Sequence, residues 1–249
     1  MNELLKNKFL EYEKKGYCII ENSFDTELLE KSYNDIINSK KTSIYNDRLG
    51  NLRRIESIYN VSPNLEKIYS TCLDILSNIF SKEFVIFKDK YNAKPPGGEG
   101  FFAHYDGIFK WLDKDGKSKD GWYEYANTFV NVLVAIDPMS ENNGALEISN
   151  EHKGSFLKLL ENTKNNNTPD LKESIEDNLV FDKILLNPGD IVLFSNKCPH
   201  RSTKNNSKFD RRTIYYTFNP KDEGDYYVKY FEDKDSSKNV ASKSLSGQL

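Results

Sequence analysis

The chain has 249 residues, with 35 Lys and Arg against 38 Asp and Glu, three histidines and a formal charge of −3. Charged residues at 29% and aromatics at 13% describe a globular chain, and the charge balance lacks the basic excess of a nucleic-acid binder. No apolar run approaches the roughly 20 residues of a membrane span, and MNELLKNKFLEYEKKGY has neither the apolar stretch nor the cleavage site of a secretory leader. Cys18, Cys72 and Cys198 are an odd set without motif spacing. The expectation is a reduced, cytoplasmic protein acting on a small molecule, with no nucleic acid and no membrane as partner.

In chain order, apolar residues at helical spacing predict a helix over 2–14, then a strand at YCII (17–20) and a second helix over 26–38 capped by Asp25. A third helix is predicted over 64–80, so residues 1–80 read as helix-rich. FVIFKDKYNAK (84–94) reads as a strand ended by the breaker PPGGEG, and FFAHYD (101–106) as another short strand. A polar loop around DKDGKSKDG (113–121) precedes TFVNVLVAID (128–137), the clearest buried strand. ALEIS (145–149), IVLFS (191–195) and RTIYYTF (212–218) are further strands, with a helical piece at SFLKLLEN (155–162) and a Ser/Lys/Asp-rich tail, 233–249, expected to be loose. Helices first and short strands later predict one domain over 1–249. Its fold class is mainly β with flanking helices, the strands of about 84–220 forming a jelly roll.

The chemistry centres on the three histidines. On an extended segment residues i and i+2 share a face, so His104 and Asp106 present an imidazole and a carboxylate side by side. His200 follows IVLFS, and His152 follows ALEIS. Two histidines and one carboxylate on one side of a metal, with the other positions open, form the facial triad of non-haem Fe(II) oxygenases. Arg211 and Tyr215 have one strand parity, Arg212, Ile214 and Tyr216 the other. An inward guanidinium requires a carboxylate partner, which a dicarboxylate cosubstrate chelating the metal would supply. Asn131 has cavity-facing parity, and a buried amide there needs either that cosubstrate or a core hydrogen bond. Trp111, Trp122, Tyr123 and Tyr125 cluster in the polar loop, where they either cage an ammonium group or pack as a lid. Lys90, Lys94 and Lys110 are candidates for meeting an anionic substrate group.

Four stretches together resemble the phytanoyl-CoA dioxygenase family of Fe(II)/2-oxoglutarate oxygenases. They are EKKGYCIIENSFD (13–25), KYNAKPPGGEGFFAHYD (90–106), VNVLVAIDPMSENNGALEISNEHKGS (130–155) and LLNPGDIVLFSNKCPHRSTKNNSKFDRRTIYYTFNP (185–220). The resemblance implies a double-stranded β-helix core, Fe(II) held by His104, Asp106 and His200, and 2-oxoglutarate and O2 as cosubstrates. It places Arg211 and Ser202 on the distal carboxylate of 2-oxoglutarate and Asn92 in contact with the same molecule. The run from Asn92 to Phe101 and TFNPKDEGDYYVKYFEDK (217–234) are similar to a bacterial subgroup, some of whose members hydroxylate aminoalkyl phosphonates. The reaction implied is therefore hydroxylation of an unactivated C–H in a small polar metabolite, of the aminoalkyl phosphonate, betaine or amino-acid type.

Asp106 stands where related halogenases carry a small residue, which favours hydroxylation over halogenation. Asn150, Glu151 and His152 depart from the family's usual Gly-Ser-His, and His152 is read as structural. The loop 107–127 would lie over the site mouth, making Trp111, Trp122 and Tyr123 candidate substrate contacts, together with Phe101 as a wall residue before the loop. The alternative is a jelly roll using the same ligands for Zn²⁺ as a hydrolase, isomerase or sensor. Arg211 with Ser202 discriminates, because zinc chemistry gives no reason for a carboxylate clamp. Monomer and homodimer stay equally open.

Overall fold

The computed structural model describes residues 3–40, 42–47, 50–113 and 115–236. Three amphipathic helices come early: α1 (Glu3–Lys15), α2 (Thr26–Asn38) and α3 (Pro63–Phe80). Asp25 caps α2 by accepting from the Leu28 amide at 2.7 Å. Ser62 caps α3 and Pro63 opens its first turn, where a missing N–H costs nothing. Among the described residues, thirteen strands run between and after the helices. The first five are β1 (Tyr17–Ile20), β2 (Ser43–Asn46), β3 (Leu52–Glu56), β4 (Phe84–Lys94) and β5 (Phe101–His104). The short pair β6 (Trp111–Leu112) and β7 (Ser118–Lys119) precedes β8 (Val130–Ala135) and β9 (Leu146–Ser149). The last four are β10 (Phe181–Lys183), β11 (Ile191–Ser195), β12 (His200–Ser202) and β13 (Arg211–Pro220). Helices α4 (Phe156–Leu160) and α5 (Glu173–Glu176) sit between β9 and β10, and α6 (Tyr227–Ser236) follows β13.

The strands form two facing antiparallel sheets, the jelly roll expected. The larger has the order β1-β11-β8-β13-β4-β3-β2, the smaller β10-β9-β12-β5, and β6 pairs with β7 alone. The large sheet is apolar on its outer face because alternate residues of its central strands meet the helices. Val130, Val132 and Val134 of β8 and Ile214, Tyr216 and Phe218 of β13 pack with Leu29, Leu65 and Ile68 from α2 and α3. Each such side chain contributes roughly 1.5–3 kcal/mol on leaving water. The inner face mixes a second apolar cluster, including Leu133, Ala135 and Phe194, with the polar residues of the site.

Strand β4 reaches this arrangement through a bulge. Thr217 pairs with Lys88 and Phe218 with Ile86, so Phe87 is the extra residue. Phe84 and Ile86 face the helices before it, and Tyr91 does so after it. The alternation is thereby reset, and Lys88, Lys90, Asn92 and Lys94 share the inner face. Strand β3 repeats the device: Tyr45 pairs with Arg54 and Asn46 with Leu52, leaving Arg53 as the extra residue.

Several expectations need correction. The stretch expected to be helix-rich contains β2 and β3, because LRRIE places two arginines side by side and hides its alternation. β5 stops at His104, so Asp106 stands on the following turn and not on the strand. Residues 233–236 of the expected loose tail complete α6, while 237–249 lie outside the described residues. Among the described residues, no helix is long and apolar enough to cross a membrane.

Candidate active site

The small sheet brings the two inner histidines together. His200 of β12 pairs across the sheet with His104 at the end of β5, and their ring centroids are 4.2 Å apart. Each ring is oriented by its own chain. His104 Nδ1 lies 2.7 Å from the Phe102 carbonyl and His200 Nδ1 lies 3.0 Å from that of Cys198. A carbonyl only accepts, so Nδ1 carries the hydrogen on both rings and each Nε2 keeps its lone pair for the site. Asp106 is placed by a turn in which its amide donates to the Asn196 carbonyl at 3.1 Å, and Asn196 Nδ2 donates back to the Asp106 carbonyl at 3.1 Å. Gly107 follows at φ 77°, and a Cβ there would lie 2.6 Å from the Trp122 ring, so glycine is required.

Ligand atoms of His104, Asp106 and His200 all lie within 4.8 Å of one another, and among the described residues this is the His, Cys, Asp and Glu cluster able to hold a metal. Burial, and then the neighbouring His104, push the His200 imidazole down to about 4, which keeps it neutral. Its 3.6 Å approach to Asp106 is therefore not an ion pair at neutral pH. Burial raises the Asp106 carboxyl, but His200, Lys90 and His104 outweigh it and hold the group below its ordinary value. Two imidazoles and one carboxylate are the donor set of an open Fe(II) site. His152 stands apart, its ring against Gly16.

One end of the adjoining cavity is built for a carboxylate. Arg211 is 2% exposed and donates from Nη1 to the Gly144 carbonyl at 2.8 Å, while its Nε is buried without a partner. Lys94 pairs with Arg211 across β4 and β13 and lies buried beside it. Its Nζ donates to Ser202 Oγ at 2.8 Å and to the Thr203 carbonyl at 2.6 Å. Burial, followed by Arg211 and Arg53, pushes this ammonium down to about 6. Ser202 and Asn92 line the same cavity. Phe101 forms its wall beneath the Arg53 guanidinium, 4.1 Å from the ring centroid.

Asn131 takes the second of its two alternatives, hydrogen bonds within the protein, and not the cosubstrate contact. Its Nδ2 donates to Asp106 Oδ2 at 2.8 Å and its Oδ1 accepts from Thr217 Oγ1 at 2.7 Å, so the amide is satisfied within the protein and steers the carboxylate. Tyr123 is corrected. It packs on Phe129 and Phe156 and is not on the cavity wall. Trp111 and Trp122 do line the cavity, as does Tyr125. The Trp122 face is already met by a cation, since Lys88 Nζ stands 5.4 Å from its centroid and 5.7 Å from that of Tyr230. Lys110 is spent on Asp120 at 2.5 Å.

The cavity measures about 1290 Å³ including its open mouth. Beyond the triad its wall carries Arg53, Arg54, Lys88, Lys90 and, from α6, Lys234. Burial, then Lys88, push Lys90 down to about 7. Of these only Lys90 was singled out from the sequence. Arg53, Arg54 and Lys88 are delivered by the two bulges, and their spacing carries no signal that a regular alternation would reveal.

Comparison with known proteins agrees with this geometry. The model of the phytanoyl-CoA dioxygenase family matches residues 12–213. A methylphosphonate hydroxylase of Gimesia maris is 29% identical over 162 residues, which is 65% of this chain and 55% of that protein. A 2-aminoethylphosphonate dioxygenase of an uncultured bacterium, HF130_AEPn_1, is 29% identical over 161 residues, 64% of this chain and 55% of its own length. The matched region thus spans about half of these curated relatives. Among solved structures, EctD from S. alaskensis with 2-oxoglutarate and 5-hydroxyectoine superposes with a TM-score of 0.70 at 16% identity, over 90% of this chain and 79% of that one. The carbocyclase SnoK of nogalamycin biosynthesis gives 0.67 at 14% identity, over 86% and 83%. At these identities the structural likeness establishes the shared fold.

Proposed function

We propose that this chain, which belongs to the phytanoyl-CoA dioxygenase family, is an Fe(II)- and 2-oxoglutarate-dependent hydroxylase of a small phosphonate-bearing metabolite. The observation that carries the reading is the pairing of the His104, Asp106 and His200 cluster with a buried Arg211 whose Nε has no partner in the same cavity. An unsatisfied buried guanidinium donor is costly, and a carboxylate is the group that relieves it. The zinc alternative offers no such group. The phosphonate reading draws on the two named relatives and on the cationic wall.

Iron with 2-oxoglutarate and O2 supplies an oxidant able to turn C–H into C–OH, giving succinate and CO2 as co-products. The residues do the rest. The Nε2 lone pairs of His104 and His200 and the Asp106 carboxylate would hold the metal, and Asn131 fixes the carboxylate oxygen it bonds. Arg211 and Ser202 would take the distal carboxylate of 2-oxoglutarate, with Lys94 holding the Ser202 hydroxyl from behind and Asn92 offering an amide beside it. Phe101, Trp111 and Trp122 wall the cavity against water.

The test is anaerobic addition of Fe(II) and 2-oxoglutarate to the purified protein, followed by visible absorption. A metal-to-ligand charge-transfer band is expected, and its absence from metal-loaded protein would overturn the reading. Methylphosphonate and 2-aminoethylphosphonate should then stimulate succinate release.

A further inference from the structure

We infer that the end of the cavity where β3, β4 and α6 meet is a subsite for a doubly negative, tetrahedral head group of the substrate, formed by Arg54, Lys88, Lys90 and Lys234 around Glu56. The inference rests on the hydroxylase reading only in assigning Arg211 and the triad to the cosubstrate and the metal.

These side chains converge from three elements. Lys88 and Lys90 share the inner face of β4 because of the Phe87 bulge, and Glu56 pairs in register with Lys90. Arg54 Nε lies 3.4 Å from Glu56 Oε1, and Lys234 Nζ donates to Glu56 Oε2. The Arg54 guanidinium and the Lys234 ammonium stand 4.5 Å and 5.3 Å from the centroid of the same ring, Tyr45. Helix α6 lies beyond residues 12–213, the part of the chain that matches the family model. It is bolted down by Tyr227 to Asp89 at 2.8 Å and by Tyr125 to Asp233 at 2.8 Å. Helix α6 thus adds a wall to the site from outside the part of the chain that the family model matches.

Charge decides the ligand class. Around the one carboxylate of Glu56, Arg54, Lys88 and Lys234 leave positive charge in excess even with Lys90 uncharged, in a region where Glu56 is 0% and Lys88 8% exposed. Asp106 lies close enough to act on Lys88 and Lys90 but is committed to the metal in the hydroxylase reading. Uncompensated buried charge is costly, and among the described residues lining the cavity Asp106 is the other acid. A betaine or an amino acid carries as much positive as negative charge and would leave the surplus standing. Its ammonium would also find the Trp122 and Tyr230 rings next to Lys88. A phosphonate dianion brings two charges and three acceptor oxygens, matched by one guanidinium fork and the ammonium groups. The C–H bond to be oxidised then lies between this subsite and the triad.

The test uses the full chain loaded anaerobically with Fe(II) and 2-oxoglutarate, titrated calorimetrically at pH 8 with methylphosphonate, methanesulfonate and glycine betaine. Methanesulfonate keeps the tetrahedral shape and removes one charge. Methylphosphonate should bind at least about tenfold more tightly than methanesulfonate, the worth of one charge-assisted contact, and betaine should give no heat. Lys88→Met and Lys234→Met should each weaken methylphosphonate about tenfold while 2-oxoglutarate affinity changes less than twofold. Lys234 has a side chain only 15% exposed at the end of a helix, and Lys234→Gln serves as the milder variant should Lys88→Met fold poorly. Equal binding of sulfonate and phosphonate, tighter binding of betaine, or variants that weaken both ligands alike would overturn the subsite while leaving the hydroxylase reading intact. A wild-type protein that takes up no 2-oxoglutarate would sink both.

Discussion

On the outer face of β13, Arg212 is fully engaged: Nε and Nη2 donate to Asp137 at 2.8 and 2.7 Å, and Nη1 and Nη2 to Glu30 at 3.0 and 2.5 Å. On the inner face its neighbour Arg211 is more deeply buried, yet its Nη1 donates to a backbone carbonyl, not to an acid, and its Nε has no partner. The two residues differ by one step along a strand and by the whole width of a sheet. An arginine that clamps α2 and the β8–β9 connection to the sheet comes with its acids. An arginine in a cavity wall is left with donors unspent, and a ligand is what can complete it.

The contrast breaks most sharply by removing each guanidinium in turn. Arg211→Leu should raise the KM for 2-oxoglutarate about a hundredfold, near the ~3 kcal/mol of a strong charged hydrogen-bond set, with little loss in urea stability. Arg212→Leu should leave that KM within about twofold and lower unfolding stability by roughly 1–3 kcal/mol. If both variants lose stability equally and neither changes KM, the distinction between the faces is wrong.

Glu56 is the inner-face acid that does come with the fold. Burial alone would raise it, but Arg54, Lys88 and Lys234 prevail and bring it from 4.5 to about 2. A depressed carboxyl stabilises the fold above its unfolded value and ceases to do so as pH falls through its folded value. Glu56→Gln should therefore be less stable than the parent at pH 7 by on the order of 3 kcal/mol. The gap should narrow as pH falls from about 4.5 to about 2, followed as Tm at stepped pH. A gap that does not depend on pH would place the effect in packing and not in charge.

Asn131→Ala frees Asp106 from its amide and should weaken Fe(II) binding about tenfold to a hundredfold, read by anaerobic titration, with the fold intact. The smallest effect is expected at Lys110, whose ion pair with Asp120 is a third exposed. Lys110→Ala should change stability by less than about 1 kcal/mol and substrate affinity not at all. A clear loss of affinity would bring the loop into the site.

Much of this could be read from the chain because hydrophobic burial leaves a periodic trace. VNVLVA, IVLFS and the three early helices are found where apolar spacing puts them. His104, Asp106 and His200 do converge, though not for the reason the spacing suggests: His104 ends a strand, and a turn closed by Gly107 swings Asp106 beside it. What escaped notice is what periodicity cannot encode. Two bulges break the alternation just where Arg53 and Lys88 enter the wall. Asn131 had the right parity, but whether its amide would meet a cosubstrate or Asp106 depends on a partner 25 positions away. Tyr123 shares a sequence cluster with two wall tryptophans, yet the 3-10 turn Gly121–Glu124 sends its ring toward Phe156.

The extra residue in β4 makes that strand unequally tolerant of changes in length. Deleting Phe87 would cost the aromatic packing of its ring against Trp122, Phe129 and Tyr230. Every residue from Lys88 to Lys94 would still keep its side of the sheet, because two residues there oppose one on β13. Deleting a residue two or three places later has no such slack. It would turn Asn92 and Lys94 toward the helices and Tyr91 or Ala93 into the cavity, exchanging the two environments at once. A gap near Phe87 is therefore the kind of length change that can be inherited with the cavity's charges intact, and a gap near Lys90 is not.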